Sequence, residues 1–186
     1  MTVRAFVVVV LTYLLAHGLT AWLIAPVQAL YMPEITVYAS LVYLPHGVRV
    51  LAAWLLGWTA VFPLAVGALL SEFLFTSHDF AHVADPVLLK SVAVGAASAP
   101  LAFGLLRMLR PAHVTDRRPT LHWSWLLLTG AVASGMNSVG QSLVFSGRLL
   151  PGQPLSVSVV YLVGDIIGLV VTALALMLVF RAMRSR

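Results

Sequence analysis

The chain has 186 residues, 61% of them hydrophobic and 9% charged, with no cysteine and a formal net charge of +5. Soluble domains carry about a quarter of their residues charged, so a water-facing globular fold is excluded and lipid must cover most of the surface. Lack of cysteine excludes a disulfide framework and a thiolate metal site, and the basic residues gather at the ends of apolar runs, as membrane topology requires, instead of forming a nucleic-acid patch.

Six apolar stretches, near residues 5–24, 37–57, 58–76, 87–108, 123–146 and 156–180, are predicted to be membrane-crossing helices. Each reaches the length of about 20 residues needed to span a hydrocarbon core. The first follows Arg4 and precedes Val27-Gln28-Ala29, which resembles a signal-peptide cleavage site, but its apolar run is long for a signal, so a retained span is expected. With the N-terminus inside, Arg4, Arg107, Arg110, Arg117, Arg118, Arg181, Arg184 and Arg186 all fall on the cytoplasmic side. Glu34, Asp79, Asp85, Lys90 and Arg148 then lie outside, and Trp22, Trp58, Trp123 and Trp125 fall near span ends. The expectation is an all-α, polytopic integral membrane helical bundle over residues 1–186, a single domain with about six transmembrane helices, N-in/C-in.

The second stretch contains "YLPHGVRVLAAWLLG", which sets Pro45, His46, Gly47 and Arg49 among apolar residues. Proline removes a backbone donor and glycine admits unusual dihedrals, so a helix broken near Pro45–Gly47 is expected; a shorter span beginning near His46 is the alternative. Under either reading Arg49 lies within the hydrocarbon thickness, where an arginine needs a partner or water. Asp165, in "YLVGDIIGLVV", sits at a similar depth in the sixth span, which suggests a buried Arg49–Asp165 ion pair.

The third stretch carries Gly67, Ser71 and Glu72, the fourth Ser91, Gly95 and Ala99, and the sixth Gly164 and Gly168 around Asp165. Small residues four apart let helices approach closely and are read as packing faces. In the fifth stretch Asn137 and Gln141 share a face with Ser134. Together with His17 and Glu72 these residues fall at a common depth in the outer half of the membrane, as a polar pocket open to the outside would require. His46 is expected to hydrogen-bond at the helix break, although its side chain is also able to handle protons near neutral pH.

Between the third and fourth stretches "SHDFAHVAD" places His78, His82 and Asp85 on one face if helical, which gives a weak metal-ligand pattern without a fourth ligand. An exposed polar loop is the simpler reading. No HExxH, glycine-rich phosphate loop or GxSxG is present, and no enzymatic activity or cofactor is expected.

The run "YLPHGVRVLAAWLLGWTAVFPLAVGALL" resembles the pattern of the MASE-type membrane-associated sensor domains, first class, at Tyr43, Pro45, Gly47, Gly57, Pro63 and Gly67. "YLVGDIIGLVV" is similar to that family's aromatic-x-x-Gly-Asp-x-x-Gly segment at Tyr161, Gly164, Asp165 and Gly168. The resemblance implies a ligand-sensing module of the bacterial inner membrane that signals through an output domain. Family members usually have more spans. His46 and Arg49 replace small or apolar residues common there, a proline often found after the Gly-Asp segment is missing around Thr172, and no output domain follows Arg186. Signalling through a separate membrane or cytoplasmic partner is therefore expected, with a small and anionic ligand at Arg49, Asp165, Asn137, Gln141, Glu72, His46 and His17. A substrate-binding S-subunit-like transport component and an accessory or assembly subunit of a larger complex are the alternatives.

Overall fold

The computed structural model describes residues 1–33, 40–77, 85–109, 123–144 and 154–184, and every regular element among them is helical. α1 runs over Val3–Tyr31 and includes a π-helical turn at Thr20–Ile24. α2 covers Leu44–Leu56, and a 3₁₀ turn at Gly57–Ala60 leads into α3, Val61–Glu72, which ends in a second π turn at Phe73–Ser77. α4 is Pro86–Met108, α5 Trp123–Val144 and α6 Pro154–Arg184.

Among the described residues four helical runs are long and apolar enough to cross a membrane: Val3–Tyr31, Leu44–Phe75, Pro86–Met108 and Tyr161–Arg184. Two of the expected spans, 37–57 and 58–76, lie largely within one helical run, Leu44–Phe75, which Gly57 divides, and α5 is diluted by Thr129, Ser134, Asn137 and Gln141. Gly57, at φ +60°, makes the change of direction between α2 and α3; a Cβ there would meet nothing within 4 Å, so conformation alone selects glycine.

The expected break inside the second helix is a helix start. Residues 40–43 are non-helical and α2 opens at Leu44, with Pro45 in its first turn, where the missing N–H would have had no helical partner in any case. Residues 37–39 lie outside the described residues.

Residue size sorts in the manner of a membrane bundle. Ala16, Ala52, Ala60, Ala96, Ala99, Ala102, Ala133 and Ala173 are buried, while Val8, Leu11, Leu15, Trp22, Leu55, Leu143 and Leu178 are exposed. Small side chains let helices approach, and an apolar exterior suits lipid. α2 occupies the centre. It packs against α1, α4, α5 and α6, and every residue from Leu44 to Ala53 is buried, whereas α3 lies outside it against α1 and α4.

The Gly164/Gly168 pair on α6 serves close approach, as its spacing suggested. A Cβ on Gly164 would overlap the carbonyl oxygen of Ser40, and one on Gly168 that of Tyr43, so the segment 40–44 lies directly on the α6 backbone. Tyr43 N–H donates to the Gly164 carbonyl at 3.0 Å. Gly47 makes the same arrangement possible from the other side, since its absent Cβ would stand 2.6 Å from Thr172. The Thr172 hydroxyl donates to the Leu44 carbonyl at 3.2 Å, which ties α6 to the start of α2.

Candidate functional site

The entry into α2 is held by two α1 side chains. Gln28 Oε1 accepts from Leu41 N–H at 2.7 Å, and Thr20 Oγ1 accepts from Leu44 N–H at 3.3 Å. These side chains satisfy backbone donors at a helix start that would otherwise stand unpaired in a dry interior. The Thr20 hydroxyl in turn donates to the Ala16 carbonyl at 3.0 Å, beside the π turn.

The first turns of α2 carry His46 and Arg49, three residues apart, into the middle of the bundle. His46 is wholly buried. Its Nε2 lies 3.1 Å from the Gly130 carbonyl on α5, and its Nδ1 lies 3.3 Å from Asp165 Oδ2 on α6. The latter contact is within ion-pair range but off the direction of a good hydrogen bond. Ser134 Oγ donates to the same Asp165 oxygen at 2.5 Å. Asp165, 2% exposed, is thus held from α2 and α5 together.

The Arg49–Asp165 pair expected from depth does not form. Both groups are buried in the same centre, but no carboxylate among the described residues comes within 4.0 Å of the guanidinium. Arg49 Nη2 donates to the Tyr13 hydroxyl at 2.8 Å, the one hydrogen bond its side chain makes among the described residues. The guanidinium carbon lies 5.6 Å from the Tyr13 ring centre and 5.7 Å from that of Tyr43. Facing aromatic rings attract a cation through their quadrupoles. Space for the group comes from Gly95 of α4, where a Cβ would stand 3.0 Å from Nη2.

His17 joins this aromatic group. Its ring stacks on Phe75 at 5.6 Å and on Tyr13 at 6.4 Å and meets Tyr43 edge-on at 6.5 Å, while its buried Nδ1 has no hydrogen-bond partner. Phe75 also meets Trp22 edge-on at 4.9 Å, which brings the two π turns together.

Asn137 and Gln141 stand apart from the Asp165 centre. Gln141 Nε2 donates to Asn137 Oδ1 at 3.3 Å and to the Ser91 carbonyl of α4 at 3.1 Å, leaving a buried Oε1 unpartnered. Of the expected face, Ser134 alone reaches Asp165. Glu72 is half-buried at the end of α3 and makes no hydrogen bond or ion pair with a described residue. Gly67 accommodates the Tyr13 side chain, 3.0 Å from where its Cβ would be, and Pro63 is fully buried.

Of the weak metal pattern, His78 and His82 lie outside the described residues. Asp85 caps α4, accepting from Val87 N–H at 2.8 Å. Among the described residues no group of three or more His, Asp or Glu side chains converges to hold a metal. Two concavities among the described residues are open and apolar. One of about 430 Å³ is lined by Leu14, Leu15, Gly18, Leu19, Trp22 and Leu23 with Phe75, and another of about 370 Å³ lies between the end of α1 and Leu41–Val42.

A serine nucleophile needs its base on its own oxygen, whereas Ser134 donates to Asp165, which separates it from His46. Tyr13, Tyr43, Thr20 and Gln28 are the participants that residue types alone did not mark; Tyr43 was read only as part of a motif. For Tyr13, Thr20 and Gln28 the signal was an aromatic or polar residue in the same apolar helical run as His17; Tyr43 lies on a separate segment before α2. Comparison with family models, curated proteins and solved structures finds no match.

Proposed function

We propose that this chain is a multi-pass membrane module that binds a small anionic molecule at the centre around Arg49 and passes the binding event to a separate protein partner. The observation that carries the reading is the state of Arg49: a guanidinium buried among tyrosines that, among the described residues, makes one hydrogen bond and has no carboxylate in ion-pair range. A buried cation without a counter-charge is costly, and a planar fork with unused donors is suited to a carboxylate or another oxyanion. The resemblance to membrane-associated sensor domains supports the same reading, as do the aromatic rings beside Arg49, which lie against the cation without supplying a negative charge. We further propose six crossings with both termini in the cytoplasm of a bacterial inner membrane, on the bias of the arginines.

One observation favours a second reading. The two concavities described above lie on the apolar exterior, as suits an accessory subunit whose buried polar groups only hold the helices together. Thermal unfolding of the purified protein in detergent, with nitrate, formate, acetate, phosphate and sulfate, separates the two. Binding predicts stabilisation by at least one anion, about 2.7 kcal/mol at a hundredfold excess over Kd, and its loss in Arg49→Gln. If a folded Arg49→Gln variant responds to every anion as the unaltered protein does, the accessory reading stands.

A further inference from the structure

We propose that the site takes up its anion together with one proton, which the His46–Asp165 pair holds. The proposal rests on the anion-binding reading above and specifies the ligand as a monoanion whose affinity is linked to proton uptake.

The proton inventory follows from the contacts. A carbonyl oxygen only accepts, so the approach of His46 Nε2 to the Gly130 carbonyl at 3.1 Å requires the hydrogen on Nε2. Nδ1 is then the atom that faces Asp165 Oδ2 at 3.3 Å. Without a proton between them, a nitrogen lone pair would face a carboxylate in a site from which water is excluded. One proton, on either atom, makes the contact attractive and leaves the pair neutral as a unit. The Ser134 hydroxyl is already turned toward Asp165 and holds the carboxyl in place whichever atom carries the proton.

With the pair neutral, Arg49 is left as an uncompensated positive charge. When the proton departs, Asp165 becomes a free carboxylate within electrostatic range of Arg49, and the centre neutralises itself. The site therefore has two balanced conditions: proton and anion both absent, or both present. The mixed conditions leave a net charge in a low-dielectric interior, which is costly. Proton and anion reinforce each other by linkage, as two ligands of one site must.

Few other groups intervene. Toward α2, α1 presents Tyr13 and His17, and the segment before α2 presents Tyr43. α4 presents Gly95, which is not titratable; α5 presents Gly130 and Ser134; and α6 presents Asp165 with Thr172, and Tyr161 one turn before Asp165 within its electrostatic range. His17 is thus the rival titrating group, and it has no carboxylate partner among the described residues.

Nitrate is the probe, since it does not titrate in the working range, and the full chain in detergent is followed by calorimetry from pH 5.5 to 8.5. The expected result is constant affinity at low pH, then a tenfold loss per pH unit once the pair gives up its proton. In that regime, buffers of different ionisation heat should report one proton taken up per nitrate bound. Asp165→Asn should bind nitrate at the acid-limit affinity with no pH dependence, while His17→Gln should keep the slope. Arg49-dependent nitrate binding that is flat with pH, with no buffer-dependent heat, would overturn the proton linkage while leaving the anion site standing. A slope that survives in Asp165→Asn, or is lost in His17→Gln, would overturn it too. No Arg49-dependent nitrate binding at any pH would remove the anion site and the linkage together.

Discussion

His46 on α2 and Asp165 on α6 face each other at 3.3 Å in the centre of the bundle, and Arg49, one turn further along α2, does not share that carboxylate. Removing one member of a buried pair leaves the other without compensation, at a cost of about 3–5 kcal/mol. Asp165→Ala is therefore expected to destabilise the bundle strongly. A double-mutant cycle on His46 and Asp165, followed by reversible unfolding in mixed micelles, should give a coupling energy of at least about 1 kcal/mol. A larger coupling between Arg49 and Asp165 than between His46 and Asp165 would contradict the arrangement.

Tyr13→Phe keeps the ring beside Arg49 and deletes the hydroxyl that accepts its one hydrogen bond. Hydrogen bonds to charged groups contribute about 1.5–3 kcal/mol, so a loss in that range is expected from the same unfolding assay. If the variant matches the unaltered protein, the Tyr13 hydroxyl does not hold the guanidinium.

The glycines of the bundle should separate into two groups. Gly164→Ala and Gly168→Ala drive a methyl into backbone carbonyls of Ser40 and Tyr43 and should cost about 1–3 kcal/mol or more. Gly104→Ala and Gly135→Ala enter open space on helices and should be neutral or stabilising by about 0.5–1 kcal/mol. Melting temperatures of the four variants decide this directly. Equal responses at all four positions would rule out the close approach.

Thr20→Val and Gln28→Leu each leave a backbone N–H in the segment before α2 without its acceptor. An unsatisfied buried donor costs about 1–3 kcal/mol. Hydrogen exchange at Leu41 and Leu44 should accelerate in the corresponding variant while the α4 amides stay protected. Uniform acceleration along the chain would mean global destabilisation and no local anchoring role.

Much of this design could be read before any coordinates. A charge content far below that of a soluble domain is enough to dictate helices in lipid. The Gly164/Gly168 spacing marked a close approach that the Ser40 and Tyr43 carbonyls now fill. Depth counting placed Arg49, Ser134 and Asp165 at one level, while His46 was read separately, at the helix break. What it lacked was the rotation of α2: His46 and Arg49 are three apart and share a face, so spacing alone does not choose which one meets α6. Proline with glycine inside an apolar run was read as a fracture. Counting from one end of the run hid that the chain before Leu44 is a non-helical segment tied to Thr20 and Gln28. Asn137 and Gln141 were assigned to the same pocket because their depth fits; their amides instead join α5 to α4 through Ser91.

The enclosure of α2 by four other helices constrains the order of assembly. Its 13 residues measure about 20 Å, short of the roughly 30 Å of a hydrocarbon core. Such a segment, bearing an arginine and a histidine, makes a poor insertion signal and reaches its resting place only after α5 and α6 have been synthesised. Nascent chains halted after Met108 should therefore leave a reporter cysteine at Val48 open to aqueous maleimide, and release of the full chain should close it. Early protection would mean that α1 and α4 alone suffice to shelter the helix.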